Sequence, residues 1–197
     1  MSQLNGIYNM GYDIGFVLYD PITETGLSSN ADKRFYSASS AKGPYVASVV
    51  FANPSAYYTD NNLIYNILRY SDNNAYTQLF NKYGNTSFMN WCEYSHIDPS
   101  IGSTKYTFYS ARELAKLWTT NMFYFYNDTT GYELGKMFQI PETSAIHSVL
   151  GNMYYTQTKG GWISQPPRAI TATDAGIVYK GSSYNHPVIM SINTNLP

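Results

Sequence analysis

The chain has 197 residues, enough for one sizeable core, and the composition of a folded globular protein. Its formal net charge of -1 gives no electrostatic reason to bind nucleic acid or an anionic membrane. The single cysteine, Cys92, excludes an internal disulfide, and three scattered histidines lack metal-ligand spacing. We therefore expect no nucleic acid partner, no metal and no other cofactor. Charged residues make up only 13% and tyrosine supplies 21 residues, a polar but uncharged composition that favours an extracellular setting.

The N-terminal part of the chain predicts a β-hairpin followed by a helix. Residues 13–20 are rich in β-branched and aromatic side chains and end at Pro21, and the chain returns through residues 25–29. Residues 40–51 change to a helical period, and Pro54 stops that helix.

The middle of the chain, from about residue 55 to 150, reads as helices and loops. A helical pattern ends just before Ser71, and Ser110 with Glu113 forms a capping box that opens another helix. After Gly151 the period returns to that of strands. Three strands are predicted, at residues 153–158, 169–179 and 187–193.

This order of elements predicts one α+β domain spanning residues 1–197. Strands from both chain ends, about 11–30 and 152–195, would form a five-stranded antiparallel sheet. The helices between them, about residues 40–150, would form an inserted helical lobe.

The first segment with residues suited to catalysis is Ser39-Ser40-Ala41-Lys42. Residue 39 falls at a predicted helix start and Lys42 lies one turn later on the same face. A serine hydroxyl is a poor nucleophile until a base takes its proton, and a lysine whose surroundings favour the neutral amine can be that base. The alternative is an N-cap serine beside a solvated lysine.

Two further polar segments follow in order. Ser71-Asp72-Asn73 suits either a cleft loop or an ordinary polar turn between helices. Lys159-Gly160-Gly161 ends a β pattern, and it suits either a strand edge open to a ligand or a glycine bulge.

Together these segments read S-x-x-K, S-D-N and a variant of K-[TS]-G, in that order. The chain thereby resembles a short member of the serine β-lactamase (class A-like) and penicillin-binding protein superfamily. The resemblance implies a β-lactamase/transpeptidase-like fold. It also implies that Ser39 is the nucleophile, that Lys42 is its base, and that Ser71 relays a proton to the leaving nitrogen.

The same resemblance implies the substrate-binding residues. Asn73 would bond the substrate amide, Asp72 would brace its loop, and Lys159 would place positive charge near a substrate carboxylate. Gly160 and Gly161 would leave the strand edge open. The family usually has Thr or Ser at the position of Gly160, so one hydroxyl that would bind the carboxylate is missing.

Backbone N–H groups of Ser39 and Trp162 would form the oxyanion hole. Arg168 opens the next predicted strand and matches an arginine that many class A enzymes use to grip the carboxylate. A solvated arginine beside two prolines is an equal alternative.

One departure from the family concerns the clearing of the acyl-enzyme. Class A β-lactamases activate water with the glutamate of an E-x-x-x-N loop. Residues 96–109 of this chain hold Asp98 but no glutamate, Glu93 precedes them, and Glu113 belongs to the capping box. The sequence therefore predicts slow deacylation.

Three functions stay open at this stage. The first is a serine hydrolase or acyltransferase acylated by β-lactams or by the D-alanyl stem peptides of peptidoglycan. The second is a hydrolytic class A-like β-lactamase, and the third is a catalytically idle binding domain. The resemblance implies an exported bacterial protein, extracellular or at the cell surface, whose signal or anchor is absent from this chain.

Overall fold

The computed structural model describes residues 2–165, 169–181 and 184–196, and its central feature is a sheet built from both ends of the chain. Five strands pair antiparallel in the order β2-β1-β7-β6-β5. Because β1 pairs with β7, the two chain ends lie side by side in the sheet. The strands are β1 (Ile14–Asp20), β2 (Thr25–Ser29), β5 (Tyr155–Gln165), β6 (Ala169–Tyr179) and β7 (Pro187–Thr194).

Helices fill most of the chain between β2 and β5, and one more precedes the sheet. In the part of the chain that the structure describes, no helix is long and apolar enough to cross a membrane. The helices are α1 (Ser2–Asn9), α2 (Lys42–Ala52), α3 (Ala56–Thr59), α4 (Asn61–Tyr70), α5 (Asn73–Tyr83), α6 (Thr86–Tyr94), α7 (Ala111–Asn127), α8 (Thr129–Met137) and α9 (Ala145–Leu150). Short 3₁₀ helices span Ala38–Ala41 and Pro99–Ser103.

The core lies between α2, α7 and the inner face of the sheet. Helix α2 is apolar almost all round and is buried along most of its length, as expected of a central helix. On β7, alternate side chains point into this core, which is the period of a strand covered on one face. The burial of α2 matters for the site because Lys42 is its first residue.

The described residues form the predicted five-stranded antiparallel sheet, and they add a second, two-stranded sheet that the sequence did not predict. Within the insertion, β3 (Arg34–Tyr36) pairs with β4 (Phe108–Ser110). Strands of this length are too short to show a period in the sequence, and their pairing joins segments far apart in the chain.

A second difference concerns β5. The sequence predicted a strand that ends at residue 158, whereas β5 continues through Lys159-Gly160-Gly161 to Gln165. The three residues therefore lie in the middle of a strand and not at its end.

Candidate active site

Ser39 lies in the tight turn that precedes the central helix. The sequence predicted a helix start here, and the structure has the 3₁₀ turn Ala38–Ala41, which runs directly into α2. Ala38 has a φ of 45°, in the left-handed region that non-glycine residues rarely adopt. The Ser39 side chain is half-buried and its hydroxyl has no hydrogen bond to another described residue, so it is free to meet a ligand.

Lys42 is fully buried and points at the loop after α4. Its Nζ donates to the carbonyl of Ser71 at 2.6 Å and to Oδ1 of Asn73 at 2.6 Å, and it lies 3.4 Å from the Ser71 hydroxyl. Among the described residues there is no hydrogen bond between Lys42 and the Ser39 hydroxyl. The Lys42 amine is thus held by the S-D-N segment, one turn from the serine.

Ser71 occupies the end of α4 with a φ of 59°, so it lies in the left-handed region, as Ala38 does. Asp72 caps the next helix, accepting hydrogen bonds from the N–H groups of Asn74 and Ala75. Asp72 therefore braces the loop, which holds Ser71 between the two neighbouring helices.

The Ser71 hydroxyl stands between two ammonium groups. Nζ of Lys159 donates to it at 3.0 Å, and Nζ of Lys42 lies 3.4 Å away on the other side. A proton can therefore pass between the two lysines through a single hydroxyl. The structure brings Ser71, Lys42, Asn73 and Lys159 together as the sequence predicted.

Burial perturbs both lysines. It lowers the pKa of Lys42 to about 8, against a smaller opposing effect of Asp72. Burial and then repulsion by Lys42 lower the pKa of Lys159 to about 7. Among the described residues, neither lysine forms an ion pair with a carboxylate. The cluster therefore has no ion-paired carboxylate among the described residues, and it can hold a neutral amine near neutral pH.

Strand β5 brings backbone N–H groups to the serine. A Cβ on Gly161 would lie 2.3 Å from the Ser39 nitrogen, so only glycine allows this approach. In an antiparallel ladder the amides of alternate residues point to the same side. The N–H of Thr158 points away from β6, to the carbonyl of Phe138, and by this alternation the N–H of Trp162 also points to the free edge of β5.

Trp162 itself is 64% exposed at that free edge. Trp162 directly follows Gly161, so its N–H lies next in the chain to the contact between Gly161 and the Ser39 nitrogen. Because β5 is the last strand of the sheet, an extended ligand could also pair with it.

Gly160 faces a different element. A Cβ there would lie 2.3 Å from the carbonyl oxygen of Thr143, so the loop before α9 fills the place of a side chain at this position. That loop brings its own hydroxyl to the cluster, because Nζ of Lys159 donates to Oγ1 of Thr143 at 3.0 Å. Sequence reasoning missed Thr143, since nothing local signals this approach.

Tyr106 was also missed. Its hydroxyl donates to Oδ1 of Asn73 at 3.1 Å, the same oxygen that Lys42 binds. Burial raises the pKa of Tyr106, so its hydroxyl is a donor at neutral pH. The two donors fix the Asn73 amide with its nitrogen free, and the only sequence signal for Tyr106 was its place in the loop 96–109.

A buried network supports the turn from behind. The Ser40 hydroxyl contacts the hydroxyl of Tyr109, and it lies 2.6 Å from Oγ1 of Thr173 on β6. Oγ1 of Thr173 in turn donates to the carbonyl of Ser37 at 2.8 Å. This network connects the turn that holds Ser39 to the sheet. The sequence motif did not predict this role for Ser40.

The carboxylates considered for deacylation have other partners or positions. Asp98 caps the second 3₁₀ helix by accepting from the N–H of Ser100. Glu93 is exposed on α6. Glu113 pairs with Arg34 and accepts from the N–H of Ser110, which confirms the predicted capping box.

The described residues do not decide two of the predictions, the role of Arg168 and the absence of a metal. Arg168 lies outside the described residues. Within the described ranges, no group of three or more His, Cys, Asp or Glu side chains is placed to hold a metal ion. A cavity of about 370 Å³ is lined by Thr143, Gly161 and Trp162 but not by Ser39, Lys42 or Ser71, and a second cavity of about 800 Å³ is lined by none of these six residues.

Comparison with known proteins identifies the fold. No protein-family model matches the chain, and no curated protein matches it in sequence. A β-lactamase from Streptosporangium roseum matches with a TM-score of 0.81 at 17% identity, over 98% of this chain and 88% of that one. Carbapenemase VCC-1 from Vibrio cholerae matches with a TM-score of 0.79 at 17% identity, over 98% of this chain and 90% of the other.

These likenesses show a β-lactamase-like fold, and at this identity they show the fold alone. They also correct the predicted fold class. The prediction combined β-lactamases with transpeptidases, whereas the two structures reported above are described as a β-lactamase and a carbapenemase. The fold is therefore α+β and β-lactamase-like, with the two-sheet layout given above.

Proposed function

We propose that this protein is an active-site serine hydrolase of the class A-like β-lactamase and penicillin-binding type, which β-lactams or D-alanyl peptides acylate on Ser39. One observation carries the proposal. The Ser39 nitrogen lies against Gly161, beside the edge-facing N–H of Trp162, and the connected groups Lys42, Ser71 and Lys159 lie one turn away.

The acylation step uses these groups as follows. The Ser39 oxygen bonds the substrate carbonyl carbon while its proton passes to the neutral amine of Lys42. The two N–H groups stabilise the oxyanion. The amide C–N bond then breaks, and the Ser71 hydroxyl gives its proton to the leaving nitrogen while it regains one from Lys42. The products are a serine ester and the freed amine.

The negative charge of the substrate decides which of the two lysines in this cluster carries a proton. A carboxylate bound near Lys159 keeps that ammonium charged, because an opposite charge favours the charged form. Lys42 and Lys159 repel each other, as the lowered pKa of Lys159 reflects. Once Lys159 is held charged, the same repulsion disfavours a proton on Lys42, which leaves Lys42 as the base. Asn73, held by Tyr106 and Lys42 through its oxygen, offers its nitrogen to the substrate amide.

Deacylation has no carboxylate base in this arrangement. Asp98 and Glu113 serve as helix caps, and Glu93 is exposed on α6. The oxyanion hole alone still permits slow hydrolysis, since charge stabilisation survives the loss of a base. The acyl-enzyme is therefore long-lived. A protein with this chemistry acts outside the cytoplasm, extracellularly or at the cell surface.

The test is the intact mass of the protein during incubation with penicillin, followed over time. We expect one adduct, mapped to Ser39 by digestion, that decays slowly. The Ser39→Ala variant should form none. Ser55→Ala, which removes an exposed serine hydroxyl far from the cleft, should behave as the wild type. An adduct on Ser37, Ser40 or Ser71 would contradict the assignment, and no adduct at all would favour an idle binding domain.

A hydrolytic β-lactamase is the second candidate, because both matching structures are described as such enzymes. Steady-state hydrolysis of a chromogenic cephalosporin separates the two. Turnover above about 10 per second, the median for enzymes, would mean that a deacylating group exists in the cleft. Asp98 and Glu93 would then be the first residues to replace.

A further inference from the structure

Each of the three N–H groups of the Lys159 ammonium has a hydrogen-bond acceptor. The side chain is fully buried, and its three N–H directions go to the Ser71 hydroxyl at 3.0 Å, the Thr143 hydroxyl at 3.0 Å and the Gly160 carbonyl at 2.7 Å. An anion cannot reach Lys159 directly unless one of these bonds breaks. The charge can instead act through the two hydroxyls, because each accepts from the ammonium with its oxygen and keeps its own proton to donate.

Lys159 forms no ion pair with a carboxylate among the described residues. The charge of Asp174 raises the pKa of Lys159, but Oδ2 of Asp174 accepts from the Ser144 hydroxyl and the Ile146 N–H at the start of α9. That oxygen therefore holds the helix on the sheet. A buried lysine without an ion-paired carboxylate, behind two hydroxyls, is suited to bind an anion through those hydroxyls.

Thr143 takes this place because of Gly160. Any side chain at position 160 would meet the Thr143 carbonyl at 2.3 Å, so the loop before α9 and a hydroxyl on residue 160 exclude each other. The chain has glycine there, the loop packs against it, and the hydroxyl beside Lys159 comes from Thr143. Thr143 is half-buried, and its hydroxyl has no other hydrogen bond to a described residue.

We propose that Thr143 is a substrate-binding residue, whose hydroxyl donates to the carboxylate of the substrate with Lys159 behind it. This inference rests on the proposed function and names the group that recognises the substrate anion. Until the amide bond breaks and the Ser71 proton goes to the leaving nitrogen, the Ser71 hydroxyl completes a two-hydroxyl anion subsite with Thr143, next to the free edge of β5 and the N–H of Trp162. The site therefore selects acyl donors that carry a carboxylate near the scissile amide.

The test compares benzylpenicillin with its methyl ester, which lacks the carboxylate. Thr143→Val removes the hydroxyl at nearly constant volume, and Thr143→Ser keeps it. We expect Thr143→Val to slow acylation by benzylpenicillin about tenfold or more, the usual scale for a hydrogen bond to a charged group. Acylation by the ester should stay within about twofold of wild type on the same argument. Thr143→Ser should restore the rate with benzylpenicillin.

Equilibrium binding of benzylpenicillin to Ser39→Ala protein, with and without Thr143→Val, provides a readout that needs no acylation. The second change should weaken binding of benzylpenicillin about tenfold and leave binding of the ester unchanged. Equal losses for both ligands, or no loss for either, would overturn the role of Thr143. Wild-type protein that binds benzylpenicillin in this way but is never acylated would instead overturn the proposed function and leave the subsite standing.

Discussion

The start of α7 and the turn before α2 are built in opposite ways. At α7 the Ser110 hydroxyl accepts from the N–H of Glu113, and the Glu113 carboxylate accepts from the N–H of Ser110. Before α2 no side chain caps the turn, Ala38 is in the left-handed region, and the first helical residue is the buried Lys42.

We interpret the difference as stability given up for the proposed function. Each non-glycine residue in the left-handed region costs on the order of 1–3 kcal/mol, and burial of a lysine disfavours its charged form. Such departures are common at sites that do chemistry. The turn with Ser39 and Lys42 has them, together with Ser71, whereas at the α7 start Ser110 and Glu113 satisfy each other's N–H groups. Substitutions at the two places should therefore affect different quantities.

The largest effect is expected for Lys42→Arg. Arginine keeps the charge but has no accessible neutral form, so the base for acylation is lost. Acylation by penicillin should slow by about a hundredfold or more. Intact-mass spectrometry of samples quenched at set times measures this rate. Lys82→Arg, at an exposed lysine paired with Asp60, is the control and should leave the rate unchanged. A Lys42→Arg rate within a few-fold of wild type would exclude Lys42 as the base.

The pH dependence of acylation tests Lys42 as the base without a substitution. The neutral amine is the reactive form, and the pKa of Lys42 is lowered to about 8, so the rate should rise with pH below that value and level off above it. Below the pKa the rise should approach about tenfold per pH unit. Rates with benzylpenicillin across this range provide the measurement. A rate that is flat or falls as pH rises toward 8 would contradict a lysine base.

Ser110→Ala should affect stability and not activity. It removes the cap and leaves the first turn of α7 without a side-chain acceptor, at a cost of about 1–2 kcal/mol in the free energy of unfolding. Ser55→Ala is the matched control, since Ser55 precedes α3 without a side-chain cap bond. Urea denaturation compares the two variants. A loss of acylation rate in folded Ser110→Ala protein would show that the two regions are not separable.

The smallest effect is expected for the difference in stability between two substitutions of Ser71. Ser71→Gly and Ser71→Ala both remove the hydroxyl, so acylation should fall equally in both. Glycine alone relieves the left-handed backbone, so the Gly variant should be more stable than the Ala variant by about 1 kcal/mol. Urea midpoints of the two proteins measure this difference. Equal stabilities would mean that the Ser71 backbone stores no strain.

Local patterns in the sequence determined the elements and the chemistry that they bear. The capping box at Ser110 and the bounds of β6 are confirmed, since caps and strand periods depend on near neighbours in the chain. The residues Ser39, Lys42, Ser71 and Lys159 were also named from their motifs, because the order of those motifs needs no three-dimensional information. Their catalytic roles stay predictions.

Tertiary structure alone decided how those elements meet. The pairing of β3 with β4, the position of Ser71 between two ammonium groups, and the loop of Thr143 against Gly160 all join residues distant in sequence. Such contacts arise when the chain ends pair as β1 and β7 and the helices pack on that sheet. Periodicity in the sequence indicates which face of a helix or strand is buried, but not which element covers that face. The lowered pKa values of Lys42 and Lys159 follow from that packing, and no local pattern contains them.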